Sequence, residues 1–402
     1  LIPIEKGPPT LSPTRSSPQP AQKETSPAKK YRVIVVQENF IDRMLHSLVS
    51  RYLLRVFRPS FSKNVYGLRR NQTSSDAIAQ LIDYRQRFFG KVLWSSEVDI
   101  QQFFDTVSHK QVLASFQQYQ QMHLGPETTI EAPALAVLDN FLQQYSFNKV
   151  EEILFDRWGL DSLMDRDLRS RLLELHGPFG YGIPQGSPFS GLIANLLLSA
   201  ADHAVEEVLR SSPVEGFYAR FVDDVILLHP QSEICQKMHT AYESALQDLG
   251  LFSHPAQDQV SVHPEEYLDQ KTLLPYPWCH PTEAQGAHRW VAFLGYHLRE
   301  DQQVRLRRST FEKELHRQKE IVDDALQQLN QPERIRQLQE AEQRNKGQFS
   351  LAYLAEMRLV ARTVGLDLLQ GKGHLQLRTC WNAAFPHLGA NQHGATQLRE
   401  LD

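Results

Sequence analysis

The stretch FYARFVDDVILL, residues 217–228, places two adjacent aspartates between two runs of apolar residues. Each apolar run is typical of a buried strand, so the aspartate pair is predicted to lie in the turn of a hairpin. Burial of an unpaired carboxylate is strongly unfavourable. Asp223 and Asp224 are therefore expected either to face solvent in the turn or to lie opposite a compensating positive charge.

A third carboxylate, Asp99, ends the predicted strand KVLWSSEVDI, residues 91–100. Three carboxylates brought together would repel one another unless divalent cations held them. Carboxylate oxygens are hard ligands that favour Mg²⁺ or Mn²⁺, and a pair of such ions about 3.5–4 Å apart is used for in-line phosphoryl or nucleotidyl transfer. Taken alone, an aspartate pair is also typical of an ordinary exposed turn.

Seven segments of the chain form an ordered set of motifs. They are KYRVIVVQENFIDR (30–43), VYGLRRNQTSSDAI (65–78), VDIQQFFDTVSH (98–109), GIPQGSPFSGLIANLLLSAAD (182–202), FYARFVDDVILL (217–228), LGLFSHPAQDQV (249–260) and FLGYHL (293–298). In this order they resemble successive motifs of reverse transcriptases. The resemblance covers about residues 30–300 and is closest to the bacterial group-II-intron-like branch, which includes intron, CRISPR-associated and phage-defence enzymes.

The resemblance implies an α+β fold shaped as a right-hand polymerase, with fingers and palm built from an antiparallel sheet and helices, and a helical thumb. The expected parts are a disordered Pro- and Ser-rich tail (1–29), fingers (30–98), a palm (99–300) with a fingers insertion at about 115–180 and a polar insertion at about 260–290, and a helical thumb with a C-terminal tail (301–402).

The resemblance also implies the catalytic centre. Asp99, Asp223 and Asp224 match the catalytic metal ligands, and the backbone carbonyl of Ile100 would complete a site for Mg²⁺, which Mn²⁺ can replace. Phe104 matches the aromatic steric gate, whose ring would collide with a ribose 2′-OH and so favour dNTPs. One of the two neighbouring phenylalanines, 103 and 104, is expected to pack in the core and the other to form the gate.

Further residues match positions that bind substrate or primer. Gln185 and Gly186 resemble the loop against the incoming nucleotide, where glycine permits close approach and glutamine offers a donor and an acceptor. Arg69 is expected to contact template or phosphate, or else to support the fingers through a salt bridge. The remaining assignments are Lys30 and Arg32 on the triphosphate, and Phe293, Leu294, Gly295 and Tyr296 in the primer grip.

One departure concerns a later motif, and one residue cluster suggests a different metal. The family commonly has a lysine near Gln257 that can protonate the pyrophosphate leaving group; here either another group, such as His254, would donate the proton or turnover would be slow. Cys279, His280 and His288 suggest zinc, but the sequence offers no fourth ligand at a suitable spacing, which argues against it.

Composition narrows the class of protein. The net charge of -4 argues against a uniformly basic nucleic-acid binder, yet residues 29–70 hold ten Lys and Arg against two acids, a patch suited to a phosphate backbone. No apolar run of about 20 residues predicts a membrane span. Three widely spaced cysteines suit a reducing compartment, so a cytoplasmic location is expected. Leu1, with no apolar signal segment after it, suggests a processed or truncated start.

The sequence therefore predicts an RNA-directed DNA polymerase that uses an RNA template, a DNA or RNA primer and dNTPs. An antiphage or CRISPR spacer-acquisition role is the expected setting, with a structured non-coding RNA or a CRISPR adaptation complex as partner. Two alternatives stay open: a template-independent or protein-primed DNA polymerase, and a non-catalytic RNA-binding scaffold. The intact aspartates, 99, 223 and 224, argue against the scaffold.

Overall fold

The computed structural model divides the chain into two compact units, residues 1–77 with 91–288, and residues 78–90 with 289–402. The structure describes residues 2–5, 31–34, 39–67, 72–121, 130–144, 166–177, 180–256, 270–313, 316, 366–367, 378–379, 387–388, 394 and 396–397.

A two-stranded antiparallel ladder joins β1 (Ile2–Glu5) to β2 (Tyr31–Ile34). The alternating apolar residues of IPIE suit a strand. The expectation that residues 1–29 are disordered therefore differs from the structure at these four residues, and the rest of that segment lies outside the described residues.

Eight α-helices lie within the described residues, and most begin and end where the apolar periodicity of the sequence indicates. The longest starts after Ser187, whose hydroxyl accepts a hydrogen bond from the Phe189 N–H at 3.2 Å. The helices are α1 (Phe40–Phe57), α2 (Ser74–Arg87), α3 (Phe103–Thr106), α4 (His109–Tyr119), α5 (Ala132–Gln144), α6 (Arg166–His176), α7 (Pro188–Ser211) and α8 (Ser232–Asp248).

The first unit is built around a four-stranded antiparallel sheet. Its strands are β3 (Leu93–Asp99), β4 (Phe217–Phe221), β5 (Asp224–His229) and β6 (Leu273–Trp278), in the order β4-β5-β3-β6. Helix α8 packs on β3, β5 and β6, and α7 packs against α8, α1 and α4. Leu192, Leu196 and Val205 of α7 are fully buried in this core. The core thus supports β3 and the β4–β5 hairpin from beneath.

Strand β6 lies inside the segment that the sequence suggested was a polar insertion, at about 260–290. Within that segment, Leu273–Trp278 forms a strand that pairs with β3, which the sequence did not predict. Pro275 and Pro277 lack a backbone N–H, so such a strand is tolerated at a sheet edge, where β6 lies. Residues 257–269 are outside the described part of the chain.

The second unit contains a three-stranded antiparallel sheet. It consists of β7 (Trp290–Phe293), β8 (Tyr296–Arg299) and β9 (Val304–Leu306), and a further ladder joins β10 (Leu366–Asp367) to β11 (Arg378–Thr379). One face of the three-stranded sheet is buried and apolar; it carries Val291, Phe293, Tyr296, Leu298, Val304 and Leu306.

The mixture of helices and antiparallel sheets confirms the predicted α+β class. Most of the predicted helical thumb lies outside the described residues. Within the described residues, no helix is both long enough and apolar enough to cross a membrane.

Candidate active site

The aspartate pair lies at the tip of the β4–β5 hairpin, as predicted. Phe221 and Asp224 are paired across the two strands, so Val222 and Asp223 form a two-residue turn. Asp224 is exposed, whereas residues 225–228 are buried. The two carboxylates therefore leave the core where the apolar strand begins.

Strand register brings the third carboxylate to the same end of the sheet. Asp99, the last residue of β3, is directly opposite Asp224, the first residue of β5. Residues paired in this way have Cβ atoms about 4.5–5.5 Å apart. With Asp223 next to Asp224 in the turn, the three aspartates share one end of two neighbouring strands.

The side chain of Asp99 forms an ion pair with Lys271. The Lys271 Nζ lies 2.5 Å from Asp99 Oδ2; the Asp99 side chain is 11% exposed and that of Lys271 is 61% exposed. Backbone bonds fix the strand end, because the His254 N–H donates to the Asp99 carbonyl at 2.9 Å and the Asp99 N–H donates to Thr272 Oγ1 at 3.2 Å. Lys271 thus supplies the compensating charge that the buried carboxylate requires.

The donor set is suited to a hard divalent cation, because it consists of carboxylate oxygens at one end of the sheet. Ile100 follows Asp99 directly and forms an isolated bridge with Ser253, which holds its backbone beside the aspartates. Among the residues that the structure describes, no three His, Cys, Asp or Glu side chains already surround one point. The placement of the backbone fits a metal site, while the Asp99 side chain is turned to Lys271.

The two phenylalanines after Asp99 have different surroundings. Phe103 is 2% exposed and belongs to the core, whereas Phe104 is only partly buried; their rings contact edge to face with centroids 5.2 Å apart. Phe103 is therefore a core residue, while Phe104 packs against the same core and stays partly accessible.

The loop with Gln185 and Gly186 is tied to the segment that follows Asp99. The Ile183 N–H donates to the Phe104 carbonyl at 2.7 Å, and the Gly182 N–H donates to the Val107 carbonyl at 2.7 Å. Gly186 has a φ of 86°, in the left-handed region that favours glycine. These backbone bonds hold the loop close to Phe104.

A buried ion pair lies beneath the hairpin turn. Arg220 of β4 and Asp202 of α7 are both 0% exposed, and two bonds of 2.7 Å join the guanidinium to the carboxylate. Desolvation favours a lower pKa for Arg220, but the adjacent Asp202 outweighs it and raises that pKa. The arginine therefore stays charged in the core.

The turn itself is strained. Val222 has a φ of 61°, and a β-branched residue in this left-handed region costs about 1–3 kcal/mol. Such a conformation persists only where its surroundings hold it. A hairpin turn with a valine at this position therefore depends on contacts from neighbouring elements.

The four residues predicted to form a primer grip lie in the β7–β8 hairpin of the second unit. Phe293 and Tyr296 pack into the core, at 3% and 6% exposure, and burial raises the pKa of Tyr296 to about 12. Leu294 and Gly295 form the turn with φ values of 50° and 81°. Of the four residues, only the turn is left partly accessible.

The other predicted positions are less informative. Lys30, Arg69 and Gln257 lie outside the described residues, and Arg32 lies in β2. The Cys279 N–H donates to the His288 carbonyl at 3.1 Å, and the ring of His288 packs edge to face on Tyr276. These are ordinary packing contacts.

Lys271, Arg220 and Asp202 were not singled out in the sequence. The signal for the ion pair was available, because an arginine in the apolar strand FYARF and an aspartate on an apolar helix each require a partner. The contact of Lys271 with Asp99 had no local sequence signal, because the two residues are 172 positions apart and an exposed lysine does not require a partner.

The reverse transcriptase (RNA-dependent DNA polymerase) family model matches residues 21–298. The chain belongs to this family. The match confirms the family that the seven motifs indicated, over more than half of the chain. A search of curated proteins finds no match.

Solved structures of telomerases are also similar. Telomerase from Candida tropicalis, truncated from its C-terminal domain, is 14% identical with a TM-score of 0.43, covering 66% of this chain and 45% of that chain. Telomerase from Candida albicans, in complex with a TWJ fragment of telomeric RNA, is 15% identical with a TM-score of 0.39, covering 69% and 43%. The chain spans about half the length of these telomerases or less.

Proposed function

We propose that the chain is an RNA-directed DNA polymerase that adds dNTPs to a primer 3′-OH. The observation that carries the proposal is the register of β3 on β5, which sets Asp99 opposite Asp224 beside Asp223 in a member of the reverse transcriptase family. In the reaction the 3′ oxygen attacks the α-phosphate and pyrophosphate leaves.

Asp99, Asp223, Asp224 and the Ile100 carbonyl would hold Mg²⁺, with Mn²⁺ as a substitute. The bound ions would activate the 3′-OH and stabilise the charge that develops on the phosphate. Phe104 would exclude a ribose 2′-OH, and Gln185 with Gly186 would line the nucleotide site. Within the first unit, the contact between the Phe104 carbonyl and Ile183 supports this arrangement.

The remaining assignments complete the proposal from the resemblance. Lys30 and Arg32 would bind the triphosphate, Arg69 the template, and Phe293–Tyr296 the primer. The seven motifs favour the bacterial group-II-intron-like branch and a role in phage defence or CRISPR spacer acquisition, with a structured RNA or an adaptation complex as partner. A reducing compartment such as the cytoplasm suits the buried thiols of Cys235 and Cys279, which are not in disulfides.

The test is incorporation of dTTP on a poly(rA)/oligo(dT) duplex with Mg²⁺, with wild type beside Asp223→Asn. The amide keeps the shape of the side chain but loses its charge, so activity should fall at least about a hundredfold. Glu207→Gln, which neutralises an exposed carboxylate near the end of α7, is the matched control and should retain wild-type activity.

Three results would replace the proposal. Growth of DNA without added template would indicate a template-independent polymerase. Product attached to a tyrosine or serine of the chain would indicate protein priming. Binding of RNA with no incorporation by wild type, under any of these conditions, would indicate a scaffold.

A further inference from the structure

The Arg220–Asp202 pair is fully satisfied in the core. Arg220 Nε and Nη2 each donate to a different oxygen of Asp202 at 2.7 Å, and the Tyr218 hydroxyl also donates to that carboxylate. A buried pair with complete hydrogen bonding has one well-defined geometry. The guanidinium is therefore fixed relative to helix α7.

The third nitrogen of the guanidinium contacts the catalytic hairpin. Arg220 Nη1 donates to the Val222 carbonyl at 3.0 Å and to Asn195 Oδ1 at 3.3 Å. Asn195 Nδ2 in turn donates to the Gly67 carbonyl at 3.0 Å. One hydrogen-bonded network thus links α7, the Gly67 segment and the residue that precedes Asp223.

Gly67 holds the turn from the opposite side. A Cβ atom on Gly67 would lie 2.5 Å from the Val222 nitrogen and 2.8 Å from Val222 Cγ2, so only glycine permits this approach. The backbone of Arg220 is bonded to the same segment, because Tyr66 N–H donates to its carbonyl at 2.8 Å and its own N–H donates to the Asn64 carbonyl at 3.0 Å. The left-handed Val222 is held between these contacts.

We propose that Arg220, fixed by Asp202, is a positioning residue that holds the Val222 carbonyl and thereby sets the direction of Asp223. Arg220 is buried and acts through Val222. The inference rests on the proposed function, because it assigns Asp223 to the reaction. Loss of the Arg220–Val222 bond should lower kcat and leave the KM for dNTP nearly unchanged, since the nucleotide-binding residues stay in place.

The test uses Arg220→Lys, which keeps the positive charge beside Asp202 but replaces the planar fork of three nitrogens, which reaches Asp202 and Val222 together, with a single ammonium nitrogen. The assay uses the full chain with poly(rA)/oligo(dT). We expect kcat to fall at least about tenfold, because a small misplacement of a catalytic group lowers the rate strongly, and KM to change less than about twofold. Val205→Ala, a core substitution in α7, is the control for lost stability and should keep kcat within about twofold at a temperature where both variants are folded.

A second background separates positioning from folding. Val222→Gly removes the conformational cost of the left-handed turn, so Arg220→Lys should lower kcat less than about threefold in that background. An equal loss in both backgrounds would overturn the inference. A wild-type chain with no incorporation would instead reject the proposed function itself.

Asn195→Ala is the second test if Arg220→Lys does not fold. It removes the other acceptor that orients Arg220 Nη1 toward the Val222 carbonyl, and also the bond to Gly67, while it leaves the ion pair in place. We expect kcat to fall at least about threefold, with the loss absent in the Val222→Gly background. An unchanged kcat would overturn the inference.

Discussion

The Asp99 carboxylate and the Lys271 ammonium are 2.5 Å apart, and Lys271 is 61% exposed. A pair with one exposed partner contributes little, about 0–1 kcal/mol. In the proposed reaction, this pair would have to open before Asp99 Oδ2 could bind a cation. The lysine would then compete with the metal for that oxygen.

Lys271→Met should consequently lower the Mg²⁺ concentration that gives half-maximal polymerisation, by about twofold to fivefold, the range that an ion pair of this kind allows. The methionine keeps much of the length of the side chain and removes its charge. The measurement is a titration of dNTP incorporation against Mg²⁺ at fixed ionic strength.

Lys237→Met, which removes an exposed lysine from α8, is the matched control and should leave the Mg²⁺ requirement unchanged. A higher requirement in Lys271→Met would contradict competition. It would show that the lysine assists metal or triphosphate binding.

At the scale of elements, the short helix α3 gives two adjacent phenylalanines different exposures. Phe103 is buried in the core, and Phe104 is partly exposed beside the loop that follows Tyr181. If Phe104 is the gate, Phe104→Ala should lower the preference for dNTP over rNTP by at least about tenfold, because the 2′-OH then has room. Ratios of kcat/KM for dTTP and UTP measure this.

Phe103→Leu is the companion variant for α3. It should lower the free energy of unfolding, because a buried ring is lost from the core, and leave the nucleotide preference at its wild-type value. The reverse pattern, with discrimination lost only in Phe103→Leu, would assign the gate to the other ring.

Several elements could be predicted because their periodicity is local. The helix pattern over residues 40–57 coincides with α1, and the strand before Asp99 ends at that residue in the structure. Strand β6 was missed because its two prolines break the usual strand pattern, and only the sheet edge makes them tolerable.

The contacts between the aspartates and their neighbours depend on how distant strands pair, and this register cannot be deduced from local sequence patterns. The pairing of Asp99 with Asp224 needs the alignment of β3 on β5, and the resemblance to the family supplied what periodicity could not. The contact of Lys271 with Asp99 follows from β6, so it was missed with that strand.

At the scale of the whole molecule, one buried histidine joins the layers of the first unit. His239 of α8 is 4% exposed, and its Nδ1 lies 2.8 Å from the Ser96 hydroxyl of β3, which donates to the Leu273 carbonyl of β6 at 2.9 Å. Burial lowers the pKa of His239 to about 4 from its ordinary value of 6.5. The folded unit therefore holds this imidazole neutral.

This lowered pKa makes stability depend on pH. The His239 side chain takes up a proton near pH 6.5 in the unfolded chain but only near pH 4 in the folded chain. The stability that the neutral imidazole contributes is therefore complete above pH 6.5 and is lost as the pH falls from 6.5 to 4. Between pH 7.5 and pH 5 the loss from this group should be about 2 kcal/mol. Urea unfolding followed by circular dichroism at the two pH values measures the total change.

His239→Asn isolates the contribution of this group from those of other histidines, such as His109 and His229, whose pKa values desolvation also lowers. An asparagine amide can occupy the place of Nδ1 near Ser96 but does not titrate. The variant should be less stable at pH 7.5, because part of the ring packing is lost, yet lose about 2 kcal/mol less than wild type on acidification. Equal losses in the two proteins would mean that His239 is protonated in the folded unit, and α8 would then be joined to β3 by a charged contact instead.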